Sequence, residues 1–119
     1  MIKRSIPLLH VSNAAAAEEF YCTQLGFQQE FAHRAEDNRP DPCYMGVTRD
    51  GVWLILSSFP GDGVAGGVAN MMVDDVDDLH AEFVAKGVSI DLAPVDQTWG
   101  TREMYVKDAD GNSVRFIQS

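Results

Sequence analysis

Residues Thr98 to Phe116 read Thr-Trp-Gly-Thr-Arg-Glu-Met-Tyr-Val-Lys-Asp-Ala-Asp-Gly-Asn-Ser-Val-Arg-Phe, a hairpin signal preceded by a bulky aromatic on a loop. Aspartate followed by glycine suits a tight turn that needs positive φ, so Asp110-Gly111 predicts a reversal. The flanking runs Arg102 to Lys107 and Ser113 to Ile117 are long enough to pair as strands. Trp99, next to Gly100, is then left just ahead of the first strand, as either a platform for a ligand or a plug for the core.

Working back from this hairpin, the second half of the chain is one compact pattern. Val68 to Val73 predicts a strand. Asp74 or Asp75 can cap a helix whose Val76, Leu79 and Phe83 share a face, and Gly87 stops it. Val88 to Leu92 predicts a strand, and Pro94 to Gly100 a loop. The first half follows the same plan. Ile6 to Val11 predicts a strand with Pro7 near its start, and Asn13 caps a helix over Ala14 to Leu25, where Ala17, Phe20, Tyr21 and Leu25 recur at helical spacing before Gly26. Phe27 to His33 predicts another strand, and the polar, proline-bearing stretch Ala35 to Pro42 a mobile loop. Tyr44 to Thr48 and Val52 to Ser57 complete a hairpin around Asp50-Gly51. The steps from Val11 to Gly26 and from Val73 to Gly87 are nearly equal, as are those from each of these glycines to the next Asp-Gly turn. The expectation is one α+β domain over residues 1–119, with repeat halves at 1–59 and 68–119 and a flexible glycine-rich linker at 60–67. Two tandem βαβββ units would form a curved mixed sheet with a concave cleft, the helices lying on its outer face.

Side chains alternate across a strand, so parity sorts them into two faces. One face collects Leu9, Val11, Leu54, Leu56, Met71, Val73, Val114 and Phe116, and it is wholly apolar, as the helix-covered side must be. The other collects Ile6, Leu8, His10, Trp53, Ile55, Ser57, Val68, Asn70, Met72, Ser113, Arg115 and Ile117. Apolar walls with scattered polar groups suit a binding cleft or an oligomer interface better than bare solvent, given the size of Trp53, Ile55, Val68 and Met72.

Charge narrows the partners. Nine basic residues against 18 acidic ones give a net charge of −9, which disfavours nucleic acid and anionic membranes and favours cationic ligands. Cys22 and Cys43 show no metal spacing and read as free thiols of a reducing compartment. No secretory signal or membrane-length segment is evident, which points to the cytoplasm. His10 faces the cleft by parity, whereas His33 ends a strand and His80 lies on the second helix, so the three histidines do not converge on a metal.

The duplicated unit, the Val11-Ser12-Asn13 helix entry before Phe20 and Leu25-Gly26-Phe27, and the closing Asp108-Ala109-Asp110-Gly111-Asn112 resemble the vicinal oxygen chelate superfamily of glyoxalases, extradiol dioxygenases and bleomycin-resistance proteins. Metal-dependent members carry histidine, glutamate or glutamine at four cleft positions, which correspond here to Ile6, Ile55, Val68 and Arg115. None of these side chains ligates a divalent cation. The resemblance therefore implies the metal-free bleomycin-resistance branch, with no cofactor and no catalysis. In that branch a homodimer sequesters a cationic glycopeptide drug in clefts built from both subunits, and aromatic rings sandwich its flat bithiazole tail. Carried over by position, Trp99 matches the loop aromatic, Phe31 the aromatic after Gly26-Phe27, and Ser57 the polar residue ending the cleft strand. The expected ligand-binding set is Phe31, Trp53, Ile55, Ser57, Trp99, Arg102, Glu103 and Arg115. The competing expectations are a metal-dependent lyase or dioxygenase of the same superfamily and a ligand-free interaction module.

Overall fold

The structure, a computed structural model, describes residues 1–119 and divides into two compact units, Met1–Ala65 and Gly66–Ser119. Unit 1 runs β1 (Leu8–His10), α1 (Ala14–Glu18, continued by a π-helical turn over Glu19–Gln24), β2 (Gln28–Arg34), β3 (Cys43–Arg49) and β4 (Val52–Ser57). Unit 2 repeats the order with β5 (Val68–Met72), α2 (Val76–Ala85), β6 (Ile90–Asp96), β7 (Arg102–Lys107) and β8 (Ser113–Gln118). Each unit is a mixed four-stranded sheet, β1-β4-β3-β2 and β5-β8-β7-β6, in which the first strand lies parallel to the last and the remaining pairs are antiparallel. The α+β class and the doubled βαβββ order are those expected from the sequence.

Local chemistry sets the ends of the elements. Asn13 and Asp75 cap the two helices, accepting from the backbone N–H of Ala16 at 2.8 Å and of Asp78 at 3.0 Å. The first helix departs from the expected α-helix: Leu25 N–H reaches back five residues to the Phe20 carbonyl at 2.9 Å, and Phe27 N–H reaches Tyr21 at 2.9 Å. The wider turn leaves Tyr21, Leu25 and Phe27 all buried on the sheet side. Arg49 pairs with Val52 across Asp50 and Gly51, whose φ values of 52° and 78° make the two-residue turn that Asp-Gly predicts.

The closing hairpin is looser than the sequence suggests. Lys107 pairs with Ser113, so residues 108–112 form a five-residue loop. Asp108 organises it by accepting from the N–H groups of Asp110 and Asn112, both at 2.9 Å, because a short carboxylate competes well for nearby backbone donors. Asn112 is fully buried, and its side-chain oxygen accepts from Gly66 N–H at 3.1 Å and Gly67 N–H at 2.9 Å. The stretch expected to be a free linker is thus tied down at both ends, since Asp62 accepts from the Ser57 hydroxyl at 2.7 Å within unit 1. Strand β6 also runs past the expected Leu92 to Asp96 and includes Pro94. It is an edge strand with irregular pairing, where a missing N–H costs no ladder bond.

The core follows parity. Leu9, Val11, Leu54, Leu56, Met71, Val114 and Phe116 are buried and Val73 is half-buried, with Phe83 of α2 meeting Phe116 edge-on at 5.3 Å.

Candidate functional site

Each unit presents the sheet face opposite its helix, and the two faces carry different chemistry. In unit 1, β3 contributes Tyr44 and Gly46 and β4 contributes Trp53, Ile55 and Ser57. A bulge in β2 decides what joins them. Gln29 pairs with Val47, but Phe31 pairs with Gly46, so one extra residue turns Phe31 away from the core and onto this face. The Phe31 ring lies over Gly46, where a Cβ would stand 2.7 Å from Phe31 Cζ. From there Phe31 makes contacts with His33 at 5.1 Å, with Tyr44 stacked at 6.1 Å, and with Trp53 at 6.2 Å. The Arg4 guanidinium stands 5.5 Å above the half-buried Trp53 ring. Ile55 is buried and floors the cluster. Ser57 is fully buried, with its hydroxyl donating to Asp62 and accepting from Phe59 N–H at 3.2 Å, so it braces a turn and does not face outward.

In unit 2 the organising group is Glu103. Its carboxylate is buried and accepts three side-chain hydrogen bonds: from the Thr101 hydroxyl at 2.5 Å, the Tyr105 hydroxyl at 2.6 Å and the Trp99 indole N–H at 3.0 Å. The donors from Thr101 and Tyr105, then the indole and the nearby Arg115 charge, outweigh burial and hold the carboxyl below its ordinary range. The Tyr105 phenol is pushed up, chiefly because its proton is held by Glu103. Trp99 is nevertheless 66% exposed. One edge of its ring is pinned to a buried anion while the rest stays free for contact. The turn that carries it is closed by Gln97 N–H to Thr101 at 2.7 Å and by Gly100 at φ 98°. Arg115 lies opposite Tyr105 in register, with its guanidinium carbon 4.5 Å from the ring centroid.

Arg102 does not join this group. Neighbouring Glu103 points to one side of β7 and Arg102 to the other, where it bonds both oxygens of Asp77 at 3.0 Å and meets Asp96 at 3.3 Å. It therefore ties β7 to the start of α2. The residues that the expected set omits are Tyr44 and His33 in unit 1 and Thr101 and Tyr105 in unit 2. Parity continued across β3 and β7 finds both tyrosines, since each lies opposite an already selected residue, Ser57 and Arg115 respectively. No pattern in the sequence signals the bulge that places His33.

The side chains at the four positions that the resemblance matches to a metal set do not suit a divalent cation. Ile6, Ile55 and Val68 offer only hydrocarbon, and Arg115 is itself a cation. Within neither unit do three His, Cys, Asp or Glu side chains gather as a metal set.

The duplicated βαβββ frame is that of the glyoxalase and bleomycin-resistance fold. The chain belongs to the glyoxalase superfamily: the family model described as glyoxalase superfamily protein matches residues 1–119. Among solved structures it is similar to a bleomycin resistance determinant encoded on the transposon Tn5, at 23% identity and a TM-score of 0.79 over 99% of this chain and 98% of that one. It is also similar to a bleomycin-binding protein complexed with bleomycin, at 22% identity and 0.78 over 99% of both chains. Lactoylglutathione lyase from Agrobacterium tumefaciens matches at 18% identity and 0.75, over 100% of this chain and 96% of that one. No curated protein sequence matches the chain. The shared fold thus serves both drug-binding proteins and an enzyme. No helix is long and apolar enough to cross a membrane.

Proposed function

We propose that this protein binds a planar, cationic small molecule of the bleomycin type and holds it without transforming it. The observation that carries the reading is Trp99, a largely exposed indole whose N–H is fixed by a buried carboxylate. A ring oriented before the ligand arrives loses little freedom on binding, so its stacking energy, on the order of 1 kcal/mol beyond the area buried, is retained. Unit 1 by itself presents a second aromatic face, Phe31 and Trp53 over buried Ile55, suited to a planar ring, and the net charge of −9 attracts a cation. The side chains at the superfamily's metal positions favour binding over metal-assisted catalysis. The reading includes a homodimer, in which the partner would cover an unpaired sheet edge such as that of β6.

The test is calorimetric titration of metal-free bleomycin into chelator-treated protein, with sedimentation of the same sample. Submicromolar binding near one drug per chain, in a dimer, is the expected result. No heat and an unshifted melting curve would refute sequestration, and a stoichiometric transition metal whose removal abolishes function would refute metal independence.

A further inference from the structure

We propose that the unit 2 face is built to receive a carboxylate attached to a planar ring, with Arg115 as the anchoring group and Asn70 beside it. The inference shares with the proposed function the reading of this face as the ligand face, and it adds the chemical group that is recognised there.

The starting point is an unspent cation. In a chain with twice as many acids as bases, Arg39, Arg49 and Arg102 each have a carboxylate within ion-pair distance, namely Glu36 at 3.0 Å, Asp50 at 3.7 Å and Asp77 at 3.0 Å. Arg115 is half-buried, yet its only hydrogen-bonding or aromatic partners are the Tyr105 ring and, through Nε, the Ser113 hydroxyl at a long 3.4 Å. Its two terminal NH2 groups have no hydrogen bond within the protein. Glu103, the nearest acid, feels the Arg115 charge but already has three donors on its two oxygens. A guanidinium fork that is held over an aromatic ring and left without an acceptor is ready for a planar anion from outside.

The neighbours define the anion. Arg115 pairs in register with Asn70, so their side chains leave the same side of adjacent strands. Asn70 is exposed and its carboxamide has no partner. One fork and one amide present donors for two oxygens sharing a single charge, which matches a carboxylate better than a doubly charged phosphate. Val68 and Met72 alternate with Asn70 and are 50% and 65% exposed, which gives a ring apolar flanks. Trp99 reaches the same network through Glu103, whose other oxygen holds the Tyr105 that lies under Arg115. The net charge of −9 repels an anion at long range, so a preference for one must come from Arg115 locally.

The experiment compares naphthoate, its neutral amide and the cationic naphthamidine by calorimetry at physiological ionic strength, with bleomycin titrated in parallel. Naphthoate is expected to bind about tenfold more tightly than naphthamide, the scale of one charge-assisted hydrogen-bonded pair. Arg115→Met keeps an unbranched side chain without the charge and should erase that preference, whereas Arg115→Lys, which keeps the charge but not the fork, should retain part of it. Asn70→Ala should lower naphthoate affinity with the fold intact. Equal affinities for naphthoate and naphthamide, a preference that survives Arg115→Met, or no binding of any naphthyl probe would overturn the inference. Selective naphthoate binding alongside silent bleomycin titrations would support the carboxylate site while refuting sequestration. Tight bleomycin binding without naphthoate selectivity would do the reverse.

Discussion

Replacing Glu103 by glutamine tests the reasoning about the site most directly, because it keeps the size of the side chain and changes only what its oxygens accept. In the parent, one carboxylate oxygen takes the Tyr105 hydroxyl and the other takes both Thr101 and the Trp99 indole N–H. A glutamine oriented to keep Tyr105 turns its NH2 toward the other two. The Thr101 hydroxyl can rotate and become an acceptor, but an indole N–H is a donor only, so the Trp99 bond is lost. Losing one bond to a charged acceptor and weakening another should destabilise unit 2 by about 2 kcal/mol. Urea unfolding measures that loss. In a Trp53→Phe background, the indole N–H resonance of Trp99 reports its release as an upfield shift and faster exchange with water. The pH dependence carries a sign. Glu103 has its pKa lowered by folding, so its contribution is complete above the unfolded carboxylate value of about 4.3 and is lost as pH falls through the lower folded value. The stability gap between parent and Glu103→Gln should therefore be constant near neutrality and shrink in acid. A variant with parental stability and an unmoved indole resonance would refute the claim that Glu103 holds Trp99.

Three further outcomes follow from the same geometry. Trp99→Ala should weaken bleomycin binding by about 2 kcal/mol in calorimetry, and because it also removes the indole N–H bond to Glu103 it should lower stability in urea unfolding by about 1–2 kcal/mol. Gly46→Ala places a methyl against the Phe31 ring and should cost about 1–3 kcal/mol in urea unfolding, with the aromatic signals of Phe31 and Tyr44 shifting together. Burial pushes both thiols up, helped at Cys22 by Glu18 and opposed at Cys43 by Arg34, so in native protein near neutral pH both should alkylate with iodoacetamide far more slowly than free cysteine and accelerate on unfolding.

The frame was legible in the sequence because its signals are local. Asn13 caps the helix it was expected to cap, Asp75 is the one of the two candidate aspartates that caps the second, Asp50-Gly51 makes its turn, and the parity of Leu54 and Leu56 against Trp53 and Ile55 places the core. What stayed hidden depends on partners far along the chain or on a change of register. Asp110-Gly111 carries a turn signal, but Asp108 captures the backbone first and Asn112 is drawn inward by Gly66 and Gly67, so the reversal widens to five residues. Arg102 sits next to Glu103 in a run that looks like a functional pair, yet adjacent strand residues face opposite ways, and Asp77, 25 residues away, takes the arginine. Ser57 ends the expected cleft strand, but Asp62 folds back and buries it.

Comparing the two units shows why the ligand is harder to read than the fold. In register, Ile55 of β4 corresponds to Arg115 of β8, and Gly46 of β3 to Tyr105 of β7, since Gly46 pairs with Ile55 as Tyr105 pairs with Arg115. In unit 1 the glycine leaves room above the sheet, and the bulged edge strand fills it with Phe31. In unit 2 the room is filled from within the strand by Tyr105, which serves as the seat for Arg115 and the clamp for Glu103. The same backbone positions thus carry an aromatic cluster in one case and a charged hydrogen-bonded network in the other. Hydrophobic parity, caps and turns act on the helix-covered side and are common to both units, so they determine the frame. The opposite side differs at these register positions, Gly46 against Tyr105 and Ile55 against Arg115, while the helix-covered side stays apolar in both units.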